Sequence, residues 1–264
     1  MSILSLLASN LLLLVALFLL LWLVTLKTRD VTPIDSVWAL GMLFLGATSW
    51  FQTSGDPRRK ALLMVLCALW ALRLGAYLFW RWRDHGPDRR YQTMFAKAKD
   101  QRGWGFAQAS MRMVYATQAP LLFIVCLPVQ LGQIDPTPAV GIIGMTGASI
   151  AIIGIGFETI GDWQLVRFRR DPANQGQVLM TGLWRYTRHP NYFGDACIWW
   201  GLYLIGAESF TGLFALPGPI LLTWTLIKWS GVPTIEGRLK RKKPDYEDYV
   251  RRTSGFVPWF PRRT

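Results

Sequence analysis

Apolar runs close to twenty residues long recur along this chain, separated by polar links rich in Arg and Lys. Wound as a helix, such a run spans the ~30 Å hydrocarbon core of a bilayer. Backbone amides find no water there, so only helices or closed barrels cross it. The runs are continuous rather than alternating, which selects helices. The expectation is an all-α polytopic membrane protein, one integral domain over 1–264 with about seven transmembrane helices.

The first run covers Ile3 to Leu26, with Asn10 its only strongly polar side chain. It lacks a basic leader and is too long for a signal-peptide core, so it reads as a retained helix. Pro33 opens a second segment, Ile34 to Phe51, and a proline costs least at a helix start. The third runs from Ala61 to Trp82, and the long basic stretch from Arg81 to Arg112 reads as a loop. The fourth covers Ser110 to Leu131, with Pro120 and Pro128 as expected kinks. The fifth starts near Ala139 and ends in charge. Ala196 to Ala207 and Leu213 to Trp229 are shorter, and read as two spans or a re-entrant pair. The polar tail that follows reads as an amphipathic helix closed by the aromatic anchor Phe256 to Phe260.

The net charge of +13, from 29 Lys and Arg against 16 Asp and Glu, gathers in a few loops and the tail. In a soluble protein it would suggest nucleic acid. Here it fits the excess of basic residues on cytoplasmic loops and contact with membrane lipid headgroups, so no nucleic acid is expected. The bias places the N-terminus outside and the C-terminus in the cytoplasm. Arg58, Arg59 and Lys60 fall on the wrong side. The three cysteines form no C-x-x-C pair and there are only two histidines, so no metal site is expected.

Several polar side chains stand out against this apolar background. Arg73 and Tyr77, four apart, share a helix face. An intramembrane arginine needs a partner, whether as a structural ion pair or as part of a site. Asp35 reads either as a helix N-terminal acid or as a membrane-edge acid facing a cavity. Glu158 and Asp162 also stand four apart, and like charges so placed call for a cation or a donor-rich ligand. The densest cluster is Gly182 to Asp195, GLWRYTRHPNYFGD, which sets Arg188, His189, Asn191, Tyr192 and Asp195 within eight residues. It reads either as a basic interfacial loop or as a wall of a cofactor cleft. Arg pairs with phosphates through its planar fork, and Asn and carboxylates suit amide and hydroxyl groups. No G-x-G-x-x-G is present, so a Rossmann site is excluded.

That motif, with Asp245 to Tyr249, Phe256 to Trp259, and Glu158, Asp162 and Arg169, resembles the signature of the steroid 5-alpha-reductase superfamily, closest to its bacterial uncharacterised branch. The resemblance covers about the last 110 residues well and the first half loosely. It implies a seven-helix reductase of the bacterial inner membrane, with NADPH in a cytoplasm-facing cavity. Residues 1–131 would then form the substrate side and 139–264 the cofactor-binding half. The chemistry implied is hydride transfer to a carbon–carbon double bond conjugated to a ketone in a hydrophobic substrate, such as a steroid-like 3-oxo-delta-4 compound.

By position, Glu158, Asp162, Arg169, Asn191 and Asp195 match the family's cofactor contacts. Arg188, His189, Tyr192, Glu236 and Arg238 are further contacts that the resemblance implies. The family's helix-two Glu and helix-three Tyr fall near Asp35 and Trp70. Tryptophan has no titratable hydroxyl, so Tyr77, Tyr115 or Tyr91 is expected to take the catalytic role with Asp35. Two other classes compete. One is an S-adenosylmethionine-dependent methyltransferase of the isoprenylcysteine or phospholipid type, which carries paired Glu residues where this tail has Glu236 and Gly237. The other is a transporter or lipid-binding scaffold, for which no internal repeat is visible.

Overall fold

A computed structural model describes residues 2–229, 231–243 and 245–262, except for the side chains of Arg238 and Lys242. All regular structure among the described residues is helical. Five stretches are long and apolar enough to cross a membrane. They are α1 (Ile3–Thr28), α2 (Ile34–Gln52), α3 (Pro57–His85), the 29-residue helix Ile142–Arg170, and Phe210–Arg241.

Local chemistry sets the helix ends. Ser2 caps α1, and Arg29 ends it in the left-handed region at φ 59°. Asp56 caps α3, Pro57 occupies its first turn, and Gly86 at φ 72° stops it. The basic stretch expected to be a loop contains α4 (Arg89–Arg102), capped by Asp88 and ended by Gly103 at φ 66°. Its apolar residues Tyr91, Met94, Phe95 and Ala98 recur at helical spacing; the first three pack on the core and Ala98 is buried.

Next come α5 (Phe106–Ser110), a π turn, α6 (Ala116–Val125) and α7 (Leu127–Leu131). The break falls at Cys126, just before Pro128, while Pro120 lies inside α6. Then come α8 (Ile142–Arg170), α9 (Pro190–Gly206), α10 (Phe210–Leu213) and α11 (Pro217–Trp224). The tail forms two helices, α12 (Val232–Lys242) and α13 (Tyr246–Arg252).

The antiparallel pair α8–α9 positions the polar residues. A Cβ on Gly147 would stand 2.5 Å from the Gly201 carbonyl oxygen, and one on Gly154 would stand 2.5 Å from that of Gly194. The four glycines thus let two backbones touch, the kind of close approach that drives helix association in lipid. Gly194 abuts Glu158, so its neighbour Asp195 is brought to the acidic face of α8.

Two buried polar networks tie the other helices together. Asn10 Nδ2 donates to Ser49 Oγ (2.8 Å) and Gln130 Oε1 (3.0 Å), and its Oδ1 accepts from Thr48 (2.8 Å). At the same end, fully buried Arg59 donates to the carbonyls of Gly132 (2.8 Å), Asp135 and Pro138. The Lys60 ammonium donates to the carbonyls of Trp50 (2.8 Å) and Thr53. Two of the three wrong-side basic residues are therefore internal staples.

Candidate functional site

The polar residues of α3, α8 and α9 meet inside the bundle. Arg73 Nη1 on α3 donates to Asp162 Oδ2 on α8 at 2.7 Å. Arg73 Nη2 makes an ion contact with Glu158 that lacks hydrogen-bond geometry. The i, i+4 carboxylates of α8 therefore share Arg73 of α3. From α9, Asn191 Nδ2 donates to Asp162 Oδ1 at 3.3 Å.

One turn further along α9, Asp195 adds a third buried carboxylate. Its Oδ1 closes no hydrogen bond, whereas Glu158 Oε2 is held by Arg73 Nη2 in the ion pair. Trp70, fully buried on α3, faces the same carboxylate: its indole N–H interacts with Asp195 without closing a hydrogen bond. The Trp70 ring is held edge-on to Trp199, with centroids 5.1 Å apart at 89°; such pairs contribute about 0.5–1.5 kcal/mol. This floor sets three carboxylates against one guanidinium. Buried acceptors left without donors are costly unless a ligand supplies them.

Three further arginines, the rim, stand within electrostatic reach of this cluster and its neighbours. Arg81 stands 3.8 Å from Asp35 and lies over the Tyr77 ring at 6.0 Å. Arg90 pairs with Asp35 (3.0 Å) and Asp88 (2.9 Å). Arg169, at the end of α8, is within electrostatic reach of Tyr77. Tyr192 feels both Arg90 and Arg81, and its ring stacks on His189 with centroids 5.5 Å apart.

Helix α4 closes one side of this rim. The Tyr91 hydroxyl donates to Asp35 Oδ1 at 2.7 Å. Burial and the Asp35 carboxylate push the Tyr91 phenol above its ordinary pKa, so it stays a donor. Burial opposes ionisation of Asp88, but hydrogen bonds from Arg90 hold its carboxyl below the usual range.

The tail is sewn to the segment that leads into α9. Arg188 Nε donates to Glu236 (2.8 Å) on α12, and its Nη1 donates to the carbonyls of Thr253 (2.6 Å) and Val250 (3.2 Å). His189 Nε2 lies 3.1 Å from the same Glu236 oxygen. Backbone bonds join Arg188 N to Ser254 O (2.9 Å) and Trp259 N to Tyr186 O (2.9 Å). The Tyr249 hydroxyl donates to the Trp184 carbonyl at 2.5 Å.

Residues 21–253 match a family described as Protein of unknown function (DUF1295). The chain belongs to this family. DUF1295 is related to steroid 5-alpha-reductase-like proteins. An uncharacterized protein of Schizosaccharomyces pombe is 32% identical over 101 residues, covering 35% of this chain. The match spans only 27% of that relative's length. No solved structure matches the chain.

In this DUF1295 protein the sequence-derived candidates divide into groups. Glu158, Asp162, Asn191 and Asp195 form the floor, and Tyr192 and Arg169 stand beside it. Arg188, His189 and Glu236 form the tail clamp instead. The side chain of Arg238 lies outside the described residues. Tyr77 stacks on Trp80 near the rim. Tyr115 is buried away in the core, sharing a 2.6 Å hydrogen bond with Thr25. Sequence reasoning missed Arg81 and Arg90 as rim residues. For Arg90 the available signal was α4 itself, marked by Asp88, Gly103 and the apolar spacing between them.

Proposed function

We propose that this protein is an NADPH-dependent membrane reductase of a carbon–carbon double bond conjugated to a ketone, in a hydrophobic substrate of steroid-like 3-oxo-delta-4 type. The observation that carries the reading is the buried cluster of Glu158, Asp162 and Asp195 around Arg73, with Arg81, Arg90 and Arg169 within electrostatic reach of its neighbours. Guanidinium groups pair with phosphates. A buried acceptor that closes no hydrogen bond, Asp195 Oδ1, suits a carboxamide or hydroxyl donor of a dinucleotide. The residues present therefore fit the cofactor.

Bound NADPH supplies the hydride. The chain's part is to hold the ketone. Tyr91, kept protonated beside Asp35, is the donor best suited to the oxyanion that grows on the carbonyl oxygen, once its single O–H turns from Asp35 to that oxygen. This gives the catalytic pair as Asp35 with Tyr91 rather than with Tyr77 or Tyr115. Arg73 orients the floor by holding Glu158 and Asp162.

The same reading takes seven crossings, adding Phe106–Leu131 and Pro190–Gly206 to the five long spans. It places the N-terminus outside, the C-terminus in the cytoplasm, and the cleft facing the cytoplasm of the bacterial inner membrane. The inward-turned Arg59 and Lys60 support that orientation, because they leave Arg58 as the exposed exception to the basic-loop bias.

A second reading has one observation in its favour. An acidic floor would also receive the sulfonium of S-adenosylmethionine, as in a membrane methyltransferase. The arginine rim speaks for phosphates. Thermal stability of the detergent-purified protein, measured with NADPH, NADH and S-adenosylmethionine in parallel, separates the two. Selective stabilisation by NADPH is expected. A shift with S-adenosylmethionine alone would move the protein to the methyltransferase class.

A further inference from the structure

Where α1 ends, three guanidinium groups lie on two aromatic rings. Arg102 lies over Trp104 with its Cζ 4.8 Å from the centroid, and Arg112 lies over the same ring at 5.0 Å. Arg29 lies over Phe106 at 5.2 Å. Only Gly105 separates the two rings, and open space surrounds the position its Cβ would take. Gly103, in the left-handed region, turns the chain back so that the Trp104 N–H bonds to the Ala98 carbonyl at 3.3 Å. That turn sets the indole beside the last turn of α4.

Stacking fixes a guanidinium by its face and leaves its in-plane N–H donors free to bond outward. Among the described residues no carboxylate pairs with Arg29, Arg102 or Arg112. The nearest acid in sequence to Arg29 is Asp30, which is spent on Thr32 (2.9 and 2.6 Å) and Trp82 (2.8 Å). The single acid of α4, Asp100, lies roughly 200° round the helix from Arg102. Lys27 and Lys99, both exposed, add charge of the same sign.

The surface next to this corner is hydrocarbon. Leu19, Leu20, Leu23 and Val24 of α1 are 46%, 64%, 56% and 57% exposed. The apolar face therefore stops within a turn of Lys27 and Arg29, at the height where acyl chains give way to headgroups. We propose that Arg29, Arg102 and Arg112, with Trp104 as platform, bind the phosphate of an anionic phospholipid whose acyl chains lie along the exposed face of α1. Charge selects the anionic class: the corner repels a choline or ethanolamine cation and attracts a net negative headgroup.

The test measures lipid affinity of the purified full chain by native mass spectrometry, with phosphatidylglycerol, phosphatidylcholine and soluble glycerol phosphate as separate probes. Phosphatidylglycerol is expected to bind at least about tenfold tighter than phosphatidylcholine. The double variant Arg102→Gln, Arg112→Gln should lose that preference. Arg89→Gln with Lys97→Gln, which removes as much charge from another part of α4, should keep it. Trp104→Leu retains every charge and should also lose the preference, which keeps the test decisive if the arginine variant misfolds. Equal losses in the two double variants would mean diffuse attraction and overturn the site. Competition by glycerol phosphate as strong as that by phosphatidylglycerol would overturn the lipid assignment.

Discussion

Arg73 on α3 donates to Asp162 on α8 across 2.7 Å, and the same guanidinium contacts Glu158 one turn away. One arginine thus links the first half of the chain to the acidic face of the second. Removing it would leave Glu158, Asp162 and Asp195 facing one another in a buried space. Arg73→Ala is expected to destabilise the protein by about 3–5 kcal/mol, as for a buried pair that loses one partner. Arg73→Lys should recover part of this. Thermal unfolding in detergent reads both, and an unchanged midpoint for Arg73→Ala would show that the cluster does not depend on its cation.

Asp195 contributes an acceptor, Oδ1, that closes no hydrogen bond inside the protein. Asp195→Asn keeps its shape and removes its charge, so the fold should hold. NADPH affinity should fall by about tenfold to hundredfold, the range for losing a hydrogen bond to a charged group. Asn191→Ala should do the same by freeing Asp162 Oδ1. Calorimetric titration measures both, and wild-type affinity in the two variants would remove them from the cofactor site.

The long helices were legible because apolar runs announce themselves locally: α1 was expected from Ile3 to Leu26 and runs from Ile3 to Thr28. Helix α4 was hidden by its charge. Its apolar stripe of Tyr91, Met94, Phe95 and Ala98 is narrow, and the basic residues between outweigh it in any average. Pairings across long separations were not legible. Spacing showed that Arg73 needs a partner and that Glu158 and Asp162 need a cation, but nothing in the sequence joins positions 89 residues apart. The contact of Tyr91 with Asp35 was hidden for the same reason, since the two stand 56 residues apart. Arg59 reads as an ordinary turn residue until its three carbonyl partners are seen.

Asp88 gives the α4 rim an acid limit. Its carboxylate accepts from the backbone N–H of Arg90 (2.8 Å) and from Arg90 Nε (2.9 Å), and those bonds hold its pKa below the ordinary 3.8 despite burial. A group whose pKa is lower in the folded state stabilises that state at pH values above its ordinary pKa. The contribution is lost as pH falls through the folded value. Protection of the α4 amides from hydrogen exchange should therefore be constant from neutral pH down to about pH 5, then drop under stronger acid. Asp88→Asn should show the weakened α4 already at neutral pH. An acid-induced loss of the same size in Asp88→Asn would assign the effect to another group.

Arg188 is one of the cofactor contacts that the resemblance implies, and its Nε and Nη1 hold Glu236, Val250 and Thr253. Its role in the structure is to fasten the tail to the segment entering α9, together with His189 on the same Glu236 oxygen. Arg188→Ala removes three donors at once and leaves the Glu236 carboxylate with His189 and Tyr246. Amides from Tyr246 to Val257 should then exchange faster, while the ratio of NADPH to NADH affinity stays as in the wild type. Glu236→Gln keeps a neutral acceptor for Arg188 and should loosen the tail less. Unchanged tail protection, combined with a selective loss of NADPH affinity, would assign Arg188 to the extra phosphate of NADPH and free the tail from dependence on it.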